Sequence, residues 1–351
     1  MSEQRTVSTA PTAPVRTDGD VLTIRDLVVE FPTPAGPVRA VDGVSLRVGH
    51  GERVGIVGES GSGKSVLSRT ALGLTRPREA RISGEVLIDG RPVLSLPERG
   101  RRAIWGRVAA MVFQDPLSSL HPITPIGEQV AEAVRRVPGV GRREAARRAV
   151  ELLDLVGIPR AAERAGSRAH ELSGGMRQRV MIAIAMAGRP KLLFADEPTT
   201  ALDVTVQARI LELFDELCRE FSIGLVMVSH DLGVIGRHTD RVAVMYAGRV
   251  VETGAVRDVF ARPAMRYTRA LMDAIPRWGG DRQVLPRPIG GLPPNLLDPP
   301  PGCRFAPRCA AALDECAADA PALADLPGDD GHRFACWNPE DHAEPGREAA
   351  K

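Results

Sequence analysis

A chain of 351 residues, 43% hydrophobic and 26% charged, is long enough for two domains, or for one large domain with an appendage, and its composition excludes disorder throughout. Its 46 Lys and Arg balance 44 Asp and Glu for a net charge of +2, so no basic excess argues for a nucleic-acid partner. The longest uncharged apolar stretch, Val180 to Gly188, is about half the ~20 residues of a membrane span, which predicts a soluble chain whose membrane role, if any, comes through a partner.

Residues 1–20 are polar, rich in Thr, Pro and Ala, and carry no apolar core of a secretory signal; they read as a disordered tail. Leu22, Ile24, Leu27, Val29 and Phe31 follow period two and predict a strand from Leu22 to Phe31. A Pro/Gly turn over Pro32 to Pro37 leads to a second strand, Val38 to Val48. Arg53 to Val57 is a short apolar run of the kind buried on both faces of a parallel sheet. Leu192 to Ala195, Leu225 to Ser229 and Val242 to Met245 repeat that style. Between them lie helical stripes: Ala146, Val150 and Leu153, then Val206, Ile210, Leu213 and Leu217. Alternating strands and helices predict an α/β domain with a parallel sheet over residues 21–255. Eight prolines between 276 and 301 then mark a connector, and four cysteines follow it. The predicted second unit is a small, irregular, Pro/Cys-rich extension over 256–342, with a polar tail at 343–351.

Gly58-Glu59-Ser60-Gly61-Ser62-Gly63-Lys64-Ser65 reads G-x-x-x-x-G-K-S between a strand and a helix, the setting of a P-loop. Glycines let backbone N–H groups curl around phosphate oxygens, and the helix N-terminus adds its positive end. Lys64 is expected on the β- and γ-phosphates and Ser65 on Mg²⁺. Asp196-Glu197 ends an apolar strand, where Asp196 suits the Mg²⁺ and Glu197 the polarisation of an attacking water.

Leu172-Ser173-Gly174-Gly175-Met176-Arg177-Gln178 lies between these motifs, before a helix predicted from Met176 to Ala187. It resembles the signature sequence of ABC ATPases. The resemblance covers about residues 21–342 and implies an ABC-type nucleotide-binding domain with a helical signature subdomain. It also implies that Ser173, Gly174, Gly175 and Gln178 face the γ-phosphate of ATP held by a second ATPase subunit. Gln114 matches the glutamine that senses Mg²⁺, completing a Ser65, Gln114, Asp196 set. Asp203 matches a dimer-seam aspartate and also suits a helix N-cap. His230 matches the histidine that contacts the γ-phosphate and orients Glu197, and it also reads as a turn histidine. Phe31 matches the aromatic that stacks on adenine, or is a core-facing strand residue.

The stretches Ala195 to Thr205, Phe113 to Leu120, Met245 to Glu252, Arg266 to Leu271 and Gly291 to Pro294 resemble ATPases of dipeptide and oligopeptide importers. Pro263 to Thr268 departs from the His-Pro-Tyr-Thr usual there. Importers of nickel and glutathione share this subunit type, and a soluble ABC ATPase acting on nucleic acid or ribosomes is the rival of another class. The branch implies two membrane permease subunits, a related second ATPase, an extracytoplasmic solute-binding protein, and a place on the cytoplasmic face of the cell membrane. Cys303, Cys309, Cys316 and Cys336 resemble the extension that binds a [4Fe–4S] cluster in some members, with Zn²⁺ or free thiols as alternatives. Arg304 and Arg308 flank that site, as counter-charges or as solvated residues. Cys218 reads as an ordinary core or half-buried thiol.

Overall fold

The computed structural model describes residues 19–200, 202–275 and 287–340. The predicted tails and the first part of the proline-rich connector fall largely outside the described residues; Asp20, assigned to the tail, opens the first strand.

β1 (Asp20–Thr33) and β2 (Gly36–Gly49) pair antiparallel across a turn of two residues, tighter than the proline spacing suggested. β3 (Arg53–Val57) leaves that hairpin for a second sheet. β4 (Arg81–Ile88) returns to the free edge of β1, and β5 (Arg91–Pro92) completes a four-stranded antiparallel sheet in the order β2-β1-β4-β5. β4 escapes a period-two reading because only Val86 and Ile88 are buried in it and Gly84 interrupts the pattern.

β6 (Ala109–Val112), β7 (Leu192–Asp196), β8 (Gly224–Val228) and β9 (Arg241–Tyr246) join β3 as a parallel block in the order β9-β3-β8-β7-β6. Every residue of β7 and β8 is buried, which explains their unbroken apolar character. β10 (Arg249–Ala255) turns back antiparallel to β9. β11 (Ala324–Leu326) and β12 (Asp329–Phe334) form a hairpin whose β12 pairs with β10. The extension therefore continues the main sheet and is less irregular than its composition implied. Glu252 of β10 and His332 of β12 are fully buried and bonded at 2.7 Å. Glu252 also accepts from the N–H groups of Ala264 and Met265, so its buried carboxylate has three partners from two segments.

The helix Arg142–Leu155 faces inward through Ala145, Ala149 and Leu153, while Ala146 is exposed. The predicted stripe is thus displaced by one residue at its start, because alanines occupy both rows and apolarity alone does not choose between them. No helix among the described residues is long and apolar enough to cross a membrane. The parallel strands β3, β7 and β8 point their carboxyl ends the same way, and the chemistry of the sequence motifs gathers there.

Candidate nucleotide site

The loop after β3 wraps into the helix Lys64–Ala71. Gly58 has φ +150°, and a Cβ there would lie 2.0 Å from the Met245 carbonyl oxygen. At Gly63, φ +99°, a Cβ would meet the Ala40 carbonyl at 2.2 Å. Neither position admits a side chain, so the bare backbone is a packing requirement. Lys64 is buried, and its Nζ donates to the carbonyls of Gly58 (2.8 Å) and Glu59 (2.9 Å), with Ser62 Oγ at 3.4 Å. Burial lowers the Lys64 pKa from 10.5, against the pull of Glu197, Asp196 and Glu59. Ser60 and Gly61 form the exposed lip of the loop.

Ser65 Oγ donates to Asp196 Oδ1 at 2.8 Å. Asp196 Oδ2 is buried with no hydrogen-bond partner. Burial raises the Asp196 pKa, against the Ser65 hydrogen bond. A hydroxyl beside an unpartnered carboxylate oxygen is a donor set for a hard divalent cation, so these residues fit Mg²⁺.

Glu197 has φ +46°, a left-handed backbone that a non-glycine residue adopts at a cost of about 1–3 kcal/mol. Its N–H donates to the Val228 carbonyl at 3.0 Å, which holds it at the junction of β7 and β8. One carboxylate oxygen, Oε2, meets Gln114 Nε2 (3.2 Å), Thr200 Oγ1 (2.9 Å) and His230 Nδ1 (3.3 Å). Sequence reasoning missed Thr200. Its signal was local: a hydroxyl three residues after the carboxylate can bond back to it.

Ser173 caps the helix Gly174–Met186, its Oγ accepting from Met176 N–H at 3.3 Å. The glycines form the first helical turn, so the helix begins two residues earlier than expected. Ser173 and Gly174 are exposed. Gly175 is buried, and a Cβ there would lie 2.4 Å from Val206 Cγ1. Gln178 does not lie with them at the surface: it is 1% exposed, its amide nitrogen unpartnered. One helical turn beyond the cap, its side chain points into the fold. Asp203 caps the helix Val204–Phe221, accepting from Val206 N–H at 2.9 Å. Phe31 is half-buried opposite Val38 and packs on the core of the antiparallel sheet.

All four cysteines of the extension are free. Cys303 N–H donates to the Cys316 carbonyl at 2.7 Å. Burial pushes the Cys303 and Cys336 thiols up; Cys309 and Cys316 add to the first, and Cys303 and Cys309 to the second. Among the described residues, no three His, Cys, Asp or Glu side chains are placed to hold a metal ion. Arg304 and Arg308 are neither solvated nor turned to the cysteines. Arg304 pairs with Asp42 at 2.5 Å and donates to the Ala247 carbonyl, and Arg308 pairs with Glu59. Cys218 is 2% exposed, and burial pushes its thiol up to about 12.

Residues 41–200 match the family model for the ABC transporter, and residues 251–316 match that of the oligopeptide/dipeptide transporter C-terminal region. The oligopeptide transport ATP-binding protein OppD of Salmonella typhimurium is 46% identical over 319 residues, 91% of this chain and 94% of its own length. The chain belongs to the ABC transporter ATP-binding proteins of the oligopeptide/dipeptide branch. The dipeptide transport ATP-binding protein DppD of Bacillus subtilis is 42% identical over 325 residues, 92% of this chain and 96% of its own. OppD of Mycobacterium tuberculosis is 47% identical over 321 residues, but this cassette spans about half that relative's length, 52%. Among solved structures, an ATP-binding cassette captured as a post-hydrolysis dimer with ADP and phosphate matches with a TM-score of 0.61 at 28% identity. That match covers 67% of this chain and 99% of the other.

Proposed function

We propose that this cassette hydrolyses ATP to power import of oligopeptides or dipeptides, by ATP-driven closure of a dimer. The observation that carries the reading is the convergence on Glu197: a carboxylate in strained backbone, held by Gln114, Thr200 and His230, beside Lys64 and the Ser65–Asp196 pair.

The chemistry follows from these residues. The P-loop N–H groups and Lys64 offset charge on the β- and γ-phosphates. Ser65, Asp196 and Gln114 would hold Mg²⁺, which when bound neutralises charge on the β- and γ-oxygens. Glu197 takes the proton of the attacking water, and the groups on its Oε2 fix which oxygen is free to do so. Phe31 offers a face to adenine. The exposed Ser173 and Gly174 reach the γ-phosphate on a second subunit, as expected where a cap and a helix N-terminus meet an anion. Gln178 is left out of that role because its side chain is inside the fold. Asp203 lies at the seam.

The partners in this reading are a related ATPase, two membrane permeases and an extracytoplasmic solute-binding protein, with the cassette on the cytoplasmic face of the membrane. Similarity to OppD and DppD proteins supports peptides as the cargo. A [4Fe–4S] cluster on Cys303, Cys309, Cys316 and Cys336 enters this reading only through the resemblance of the extension, with Zn²⁺ or free thiols as the alternatives.

The test is reconstitution with the permeases and binding protein in vesicles. ATP-dependent uptake of labelled peptide is expected with wild type and not with Glu197→Gln. Phosphate release without peptide uptake would refute the cargo, and absence of phosphate release would refute the reading as a whole.

A further inference from the structure

We propose that Arg308 and Tyr267 of the C-terminal extension are positioning residues for the P-loop, so that the extension sets ATP affinity together with the cassette core. The inference rests on the nucleotide-site reading above and adds a mode of control to it.

Glu59 is one of the loop positions whose side chain the P-loop pattern leaves free. Both of its handles are held by the extension. Its N–H donates to Tyr267 Oη at 2.9 Å. Its two carboxylate oxygens accept from the two Arg308 terminal nitrogens, at 2.6 and 3.0 Å. The Arg308 side chain is 4% exposed. It also donates to the Gly290 carbonyl at 2.8 Å and to Tyr246 Oη at 3.1 Å. Its guanidinium carbon lies 5.8 Å from the Tyr246 ring and 6.0 Å from that of Phe305. Those two rings and Tyr267 contact one another. A planar fork in an aromatic cage fixes a carboxylate in direction as well as distance.

The far end of the Glu59 peptide reaches the catalytic machinery. Its carbonyl accepts from Lys64 Nζ at 2.9 Å. The contacts therefore run from Arg308 and Tyr267 through Glu59 to Lys64. A second arm reaches the other side of the loop. Arg304 donates to the Ala247 carbonyl, and the next residue, Gly248, donates to the Ser62 carbonyl at 3.0 Å. Pro293, Pro294 and Leu296 line one small cavity together with Glu59 to Ser62. Burying a charge pair costs desolvation that cancels much of its attraction, so this pair acts through geometry more than through stability. Arg304 and Arg308 each adjoin a cysteine, Cys303 and Cys309, so the clamp is anchored in the cysteine loop.

The experiment uses the full chain and a fluorescent ATP analogue with Mg²⁺. Arg308→Met and Glu59→Gln are each expected to raise the dissociation constant about tenfold, ~1.4 kcal/mol. The double variant is expected to be no weaker than either single, because both remove one clamp. Tyr267→Phe should raise it about threefold, and Arg308→Lys should restore less than half of the Arg308→Met loss. Turnover at saturating ATP should change less than twofold in Arg308→Met and Tyr267→Phe, which lie outside the P-loop. Should Arg308→Met unfold, Glu59→Gln carries the test, since it leaves the aromatic cage filled. Wild-type affinity in both single variants, additive losses in the double, or a loss of turnover at unchanged affinity would each overturn the proposal. Lys64→Ala separates the two claims. If it abolishes binding while the clamp variants bind normally, only this inference fails; if it binds normally, the nucleotide-site reading fails.

Discussion

Gly175→Ala tests whether the serine–glycine turn is shaped by packing within the chain. The added Cβ would sit 2.4 Å from Val206 Cγ1, more than about 1 Å inside the ordinary ~3.5–4.0 Å carbon contact. Val206 is on the helix Val204–Phe221, where a β-branched side chain has one strongly preferred χ1 rotamer and cannot swing away cheaply. The helix Gly174–Met186 must therefore shift, taking Ser173 with it. Overpacking of this size costs roughly 1–3 kcal/mol, a fall of a few °C in melting temperature for a chain this long. Val206→Ala in the same chain removes the clashing methyl and leaves Val206 Cβ at 3.7 Å, an ordinary contact. The double variant should therefore regain most of the lost Tm, by calorimetry or circular dichroism. Phosphate release should return only in part, because in the proposed dimer the new methyl still stands at the turn that meets the partner's nucleotide. A Gly175→Ala chain that melts like wild type, or one that Val206→Ala does not rescue, would refute the packing argument.

Glu197→Gln keeps the side-chain shape and removes the base; single-turnover phosphate release should fall about 10²–10⁴-fold while ATP still drives pairing of subunits, and near wild-type release would remove Glu197 from the role. Burial holds Lys64 below the ordinary lysine value of 10.5, and phosphate favours its ammonium form, so nucleotide binding raises its pKa again. ATP affinity should then weaken as pH rises through the lowered value, and Lys64→Arg should flatten that alkaline fall in a titration series. For Asp196 the sign is opposite: burial raises its pKa, so protons compete with Mg²⁺ at higher pH than for an ordinary carboxylate, and Mg²⁺ affinity should weaken on acidification. Protein purified without oxygen should carry iron and sulfide near four per chain, with zinc or no metal counting against the cluster. In native protein stripped of metal, Cys218 should stay unreactive to thiol reagents, being 2% exposed with its thiol pushed up to about 12.

What the sequence determined alone is everything carried by short spacing. The P-loop follows from eight adjacent residues, because its phosphate cradle is a backbone conformation that glycines permit locally. The buried parallel strands follow from unbroken apolar runs, and the Asp203 cap from a polar residue before a helix. Tertiary structure decided what depends on distance along the chain. Gln114 meets Glu197 from 83 positions away, and Arg308 meets Glu59 from 249. Ala145 rather than Ala146 faces inward, Gln178 is buried rather than presented, and the extension adds strands to the main sheet. The physical reason is the same in each case. A local pattern limits which conformations a segment can take, while the partner that selects one of them comes from a strand or loop brought near only by folding.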